Sequence, residues 1–159
     1  MKIGVIADTH LKQPTRELER VLETVFSDVD LIVHAGDFNT EEVLEVFSGK
    51  DLVAVKGNND SPGLKKRLPE SVLFGAGGFR IGVVHGWGPP FGIRSRVISK
   101  VREADCVVYG HSHLGFIGYC RGALFFNPGA FCGGVLALGR RSVGILRVEK
   151  EIQGQVIRI

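Results

Sequence analysis

Five apolar runs in this chain end in side chains that can bind a metal ion. Val5-Ile6-Ala7 leads into Asp8-Thr9-His10, and Ile32 to Gly36 into Asp37. Val53 to Gly57 leads into Asn58, Gly82-Val83-Val84 into His85, and Val107 to Gly110 into His111-Ser112-His113. A single Asp-X-His or Gly-Asp pair says little, because aspartate often caps helices and Gly-Asp is an ordinary turn. Here, however, four of the five histidines in the chain stand at these run ends. Seven oxygen and nitrogen donors exceed what one ion normally takes from a protein, so a pair of ions sharing one carboxylate is the natural use for them. Carboxylate, amide and imidazole donors together suit Mn, Fe, Ni or Zn, with Mn the first choice.

Donors this far apart in sequence converge only if strands carry them. In a sheet of parallel strands the loops beyond the carboxyl ends face one crevice, which places all seven together. Asp8 and His10, like His111 and His113, are two residues apart, a spacing that in extended chain sends both side chains to one side and turns Thr9 and Ser112 away. Gly36, Gly57, Gly86 and Gly110 flank donor positions, where a missing Cβ allows sharp turns and close approach. The fifth histidine, His34, lies inside an apolar run and reads as a hydrogen-bonded core residue.

The run Lys2 to Ala7 predicts a strand, and Leu18, Val21, Leu22 and Val25 predict an amphipathic helix within Pro14 to Phe26. Leu31 to His34 predicts a second strand. Thr40 reads as the N-cap of a helix carrying Val43, Leu44, Val46 and Phe47, and Leu52 to Val55 as a third strand. Two β-α-β units in series call for parallel pairing over the first 60 residues. Ser71 to Phe74 and Arg80 to Val84 then read as a hairpin about Gly75-Ala76-Gly77-Gly78. Phe91 to Ala104 has a helical apolar face of Ile93, Val97, Ile98 and Val101. Strands follow at Cys106 to Tyr109, Phe116 to Cys120, Ala123 to Phe126, Ser142 to Glu149 and Ile152 to Ile159, in a second half expected to be mostly antiparallel.

The 159 residues are 44% hydrophobic and 23% charged, ordinary globular usage that sets aside disorder, collagen and coiled coil and fits one domain spanning residues 1–159. A formal charge of +3 mildly favours anionic substrates and falls well short of a protein that coats nucleic acid. No apolar run reaches the ~20 residues of a membrane span, and Asp8 interrupts the N-terminal run, so a cytoplasmic protein is expected. Cys106, Cys120 and Cys132 lack CxxC spacing and read as structural thiols outside the motifs.

In their order, Asp-Thr-His, Gly-Asp, Gly-Asn-Asn-Asp, His-Gly and Gly-His-Ser-His resemble the signature of the calcineurin-like metallophosphoesterases, in particular the small cap-less bacterial and archaeal phosphodiesterase branch. The resemblance runs from Asp8 through Asn127-Pro128-Gly129. It implies an α/β fold of four layers, a two-sheet β-sandwich flanked by helices, with a dinuclear metal centre at one edge. Carried over by residue, it assigns Asp8, His10, Asp37 and His113 to one ion and Asp37, Asn58, His85 and His111 to the other, with Asp37 bridging. The chemistry implied is hydrolysis of a small phosphate ester, most simply a diester, by a hydroxide shared between the ions. Asn59 stands where many members carry a histidine suggested to protonate the leaving group. An amide cannot do so, and Asn59 is read as a substrate contact. Trp87 replaces a second histidine found in some relatives, and Ala130 replaces a serine.

Trp87-Gly88-Pro89-Pro90-Phe91 reads either as a stacking wall or, more commonly, as a loop packed on the core, and Lys65-Lys66-Arg67 as a solvated helix face. Two other functions compete, a non-catalytic scaffold, as in the retromer subunit of this fold with a degraded metal site, and a nuclease, while hydrolysis of a diadenosine polyphosphate or cyclic nucleotide stays open. Seven intact donors oppose the first, and the small basic excess opposes the second. Self-association into a homo-oligomer stays open.

Overall fold

The computed structural model describes residues 1–159. β1 (Lys2–Ile6), β2 (Leu31–His34) and β3 (Leu52–Ala54) alternate with α1 (Arg16–Glu23) and α2 (Glu41–Glu45), in the order the hydrophobic spacing predicts. Thr15 caps α1 through its hydroxyl, which accepts from the Leu18 N–H at 3.3 Å, and Leu18, Val21 and Leu22 form the buried face. Thr40 has the extended backbone of an N-cap but does not cap with its side chain. Its hydroxyl instead donates to the Lys12 carbonyl at 3.3 Å. α3 (Pro62–Arg67) follows, capped by Ser61 and started by Pro62, whose missing N–H costs nothing in a first helical turn.

β4 (Ser71–Ala76) and β5 (Phe79–Val84) form the expected hairpin with a tighter turn than expected. Gly75 and Ala76 belong to the strand, and only Gly77 and Gly78 turn, at φ +55° and +86°, the pair of positive values a two-residue hairpin requires. α4 is shorter than its apolar face predicts, covering Ile93–Val97 before a single 3-10 turn at Ile98–Lys100. Its four aliphatic face residues are β-branched and disfavour a long helix. β6 (Cys106–Tyr109), β7 (Phe116–Cys120), β8 (Ala123–Asn127), β9 (Ser142–Val148) and β10 (Ile152–Arg158) complete the chain.

These strands make two sheets, ordered β10-β9-β1-β2-β3 and β4-β5-β6-β8-β7. The second half is not simply antiparallel. The hairpin pairs β4-β5, β7-β8 and β9-β10 are, but β5-β6 and β6-β8 run parallel at the centre of the second sheet. Each sheet therefore has a parallel core of three strands, β1-β2-β3 in one and β5-β6-β8 in the other.

The layers are helix, sheet, sheet and helix, as the resemblance implied. Ile3, Val5, Val33, Val83, Val108 and Phe126 pack between the sheets. Ile6, Ile32 and Val143 face Leu18, Leu22, Val43 and Phe47 on one outer side, and Val107, Tyr109 and Phe125 face Ile93, Val97 and Val101 on the other. No helix is long and apolar enough to cross a membrane.

Phe126 locks the sandwich. A Cβ at Gly144 of β9 would stand 2.4 Å from its ring, and one at Gly154 of β10 2.8 Å, so the two glycines form the seat of the ring. Gly144→Ala should displace Phe126 and lower stability by about 1 to 3 kcal/mol, the usual cost of overpacking. Denaturant unfolding of the two proteins measures this, and equal midpoints would show that the ring moves freely.

Candidate metal centre

The parallel strands carry their carboxyl ends to one edge, where the two sheets meet. β1 delivers Asp8 and His10, β2 Asp37, β3 Asn58, β5 His85, and β6 His111 and His113. The crevice thus lies between two sheets, not along one, and all seven residues named from sequence stand around it.

Strand alternation is not what turns the paired residues inward. Asp8, His10, Asp37, His111 and His113 all have left-handed backbone, with φ between +49° and +65°. Each such residue costs on the order of 1 to 2 kcal/mol, and strain of this kind clusters where surrounding structure demands it. Thr9 and Ser112 do point away, as expected. The Thr9 hydroxyl donates to the Asp37 carbonyl at 3.1 Å, and Ser112 Oγ accepts from Asn127 Nδ2 at 3.1 Å.

The donor atoms fall into two groups. In the first, His10 Nε2 is 3.2 Å from His113 Nε2 and 3.8 Å from Asp8 Oδ1, which is 3.4 Å from His113 Nε2. In the second, Asn58 Oδ1 is 3.1 Å from His85 Nε2 and 2.9 Å from His111 Nδ1. One oxygen stands between them: Asp37 Oδ2 is 3.5 Å from His10 Nε2 and 3.3 Å from His85 Nε2. Ligands bound at ~2.1 Å stand ~3.4 Å apart along a tetrahedral edge, so both groups have the dimensions of a coordination shell.

Outer contacts select the ring nitrogens. His85 Nδ1 faces the Ala35 carbonyl at 2.7 Å and His111 Nε2 the Gly88 carbonyl at 2.9 Å. Protons on those atoms leave His85 Nε2 and His111 Nδ1 as the free donors. Gly88 is itself held by Arg96, whose guanidinium donates to the carbonyls of Trp87, Pro89 and Phe91 around it. The 87–91 loop consequently does not pack into the core: Phe91 is 92% exposed and Trp87 38%. Trp87 lines a groove with Lys56, Lys65, Asn58 and His85, and Lys65 Nζ donates to the Asn58 carbonyl at 2.7 Å. Lys65 is therefore part of the site's wall, while Arg67 pairs with Glu45 at the surface.

Asp8 and Asp37 are buried, at 0% and 1% exposure. Asp37 accepts from the Asn59 amide at 2.7 Å and the Asn59 side chain at 2.8 Å, so the side chain of Asn59 orients the Asp37 carboxylate. At Gly57 a Cβ would lie 2.0 Å from Asp37 Oδ1, which explains glycine there by the close approach of the Asp37 carboxylate. His34 is the core residue expected: its Nδ1 accepts from the Gly36 N–H at 3.2 Å, and its ring stacks on Phe38.

Sequence reasoning overlooked three contributors. Asp60, buried, accepts from the amides of Gly57 and Asn39 and braces the Asn58 loop. Asn127, at the end of β8, donates to the Gly110 carbonyl at 2.9 Å and braces the His111 loop. Cys132, although outside the motifs, has its sulfur within 4.8 Å of a ring nitrogen of both His10 and His113. The signal available was position, since β8 is a sixth strand whose carboxyl end points to this edge.

Burial opposes charge on Asp37, but hydrogen bonding and charge from His85, with the Asn59 contacts, prevail and hold its carboxyl well below the usual range. Burial likewise opposes protonation of His85, yet the Asp37 hydrogen bond and the charges of Asp8 and Asp37 raise its pKa to about 9. A raised histidine pKa stabilises the fold below its ordinary 6.5 and loses that effect as pH climbs through about 9. A depressed Asp37 contributes above its ordinary 3.8 and is lost on acidification. In chelator, the melting temperature should therefore fall between pH 6.5 and 9. With excess Mn it should rise over the same range, because a ligating His85 must be neutral. Thermal melts with and without metal decide this, and parallel pH slopes would separate His85 from the ion.

Residues 1–151 match the calcineurin-like phosphoesterase superfamily domain. The chain is 37% identical to a probable metallophosphoesterase of Methanocaldococcus jannaschii, covering 100% of this chain and 82% of that protein. It is 32% identical to the probable metallophosphoesterase YsnB of Bacillus subtilis over 82% of this chain and 75% of that protein. Among solved structures, a novel archaeal phosphodiesterase superimposes with a TM-score of 0.80 at 26% identity, covering 99% of this chain and 100% of the other. Vps29 of Chaetomium thermophilum shares the fold, with a TM-score of 0.78 at 16% identity over 100% of this chain and 97% of that one. On sequence and fold together, the chain belongs to the calcineurin-like phosphoesterase superfamily.

Proposed function

We propose that this protein is a cytoplasmic phosphodiesterase that uses two divalent transition-metal ions, Mn foremost and Ni, Fe or Zn as alternatives, to hydrolyse small phosphate esters. The observation that carries this reading is Asp37 Oδ2 between two donor groups, 3.5 Å from His10 in one and 3.3 Å from His85 in the other. Two ions held there would acidify a water and polarise the phosphoryl group for in-line attack.

The chain's own residues supply the rest. Asp8 and Asp37 bring the negative charge that balances the cations, and Asn59 holds Asp37 in place through its amide and side chain. Lys56 and Lys65 along the Trp87 groove offer positive charge to the ester, and the Trp87 face offers a surface on which an aromatic group can stack. No protein nucleophile is required. The free thiols Cys106, Cys120 and Cys132 agree with a reducing compartment. A scaffold role has no use for strained ligand positions, and the fold shared with Vps29 does not by itself favour one.

Asp37 touches both groups and His10 only one, so their variants should differ. Asp37→Ala should abolish both metal retention and turnover. His10→Ala should lower them by at least the roughly 10- to 100-fold typical of losing a group around a metal, with partial rescue by excess Mn. Metal analysis and hydrolysis of a chromogenic diester test this, and two ions with near-normal turnover in Asp37→Ala would remove Asp37 from its bridging role.

Asn59 cannot donate a proton as an acid, so esters whose leaving groups need little protonation should be favoured. Rates for a series of aryl diesters should fall steeply as leaving-group pKa rises. A flat series would mean that another residue acts as the acid.

A further inference from the structure

Cys132 is held at the metal centre by the backbone that also holds Asp8. Past the end of β8, the Phe131 N–H donates to the Ala7 carbonyl at 3.0 Å and the Cys132 N–H to the Asp8 carbonyl at 3.1 Å. Ala130 and Phe131 are fully buried, so this short segment is fixed against the end of β1. Its half-buried thiol, with a ring nitrogen each of His10 and His113, forms a cluster of three donors within 4.8 Å of one another. On one ion, a thiolate at ~2.3 Å and an imidazole at ~2.1 Å stand ~3.6 Å apart in a tetrahedral arrangement, so the sulfur needs to travel on the order of an ångström at most.

We infer that Cys132 supplies a thiolate ligand to the ion held by Asp8, His10 and His113, making this half of the centre selective for thiophilic metals. The inference rests on the two-ion reading of the site. The second group, Asn58, His85 and His111 with Asp37, offers oxygen and nitrogen alone. The centre is thus chemically asymmetric. Soft sulfur favours Zn, Fe or Co over Mn at the first position, while the second keeps the harder set that suits Mn, so the preference for Mn is confined to the second position and Mn fills the first only in excess. On coordination the S–H proton leaves to solvent and a sulfur lone pair forms the metal bond, with no change of oxidation state.

Loading the metal-depleted protein with Co(II) tests this without relying on activity. Wild type and Cys120→Ser should show an intense near-ultraviolet thiolate-to-cobalt charge-transfer band. Cys132→Ser should lose that band while keeping the visible cobalt bands and two cobalt ions per chain. Its preference for Zn over Mn in competition should fall by roughly 10- to 100-fold. In unmodified protein, Zn should also slow alkylation of Cys132, read by peptide mass, which makes the test independent of how any variant folds. Cobalt bound without the band, a band that survives in Cys132→Ser, or alkylation indifferent to Zn would each overturn the ligand role of Cys132 and leave the two-ion reading intact. A protein that binds no cobalt would overturn both.

Discussion

Two carboxylates, Asp8 and Asp37, sit out of water where two sheets meet, and that arrangement is stable only if positive charge comes to them. Buried ions are costly unless paired. Around this pair the chain places four imidazoles and an amide oxygen, donors that take either a proton or a metal ion. The raised pKa of His85 is the same demand met by a proton. In the proposed two-ion centre, a cation bound here would displace that proton and take over its role.

Everything near the centre serves to hold these groups against their own preferences. Five donor residues accept left-handed backbone, and the loops carrying them are tied by buried polar contacts: Asp60 to the Gly57 and Asn39 amides, Asn127 to Gly110, and the Asp8 carboxylate to the His111 amide at 3.0 Å. The sandwich core behind them, with Phe126 seated on Gly144 and Gly154, supplies the rigidity that lets strain persist at the edge. Function is thus assembled from six strand ends, none of which carries chemistry alone.

Much of this was legible in the sequence. Apolar runs ending in Asp, Asn or His picked out seven residues that the fold brings to one edge, and the strand bounds at Leu31–His34, Cys106–Tyr109 and Phe116–Cys120 match their hydrophobic runs. The α/β architecture of four layers came from the family resemblance of the motifs, not from periodicity. What escaped depends on long-range partners. The parallel centre of the second sheet comes from β8 crossing to pair with β6, which no local pattern announces. The hydroxyl of Thr40 went to Lys12 and not to its own helix, since tertiary contact outbid local capping. Left-handed backbone at Asp8 and His10 cannot be inferred from residue type. Cys132 looked structural because a cysteine five residues beyond a strand has no meaning until that strand is known to end at the site.

The central claim is that one carboxylate oxygen is shared by two ions, and anomalous diffraction from Mn-loaded crystals tests it most directly. Two peaks about 3.5 to 4 Å apart should flank Asp37 Oδ2, one against Asp8, His10 and His113 and the other against Asn58, His85 and His111. A single peak, or a pair that leaves Asp37 outside both coordination shells, would contradict it.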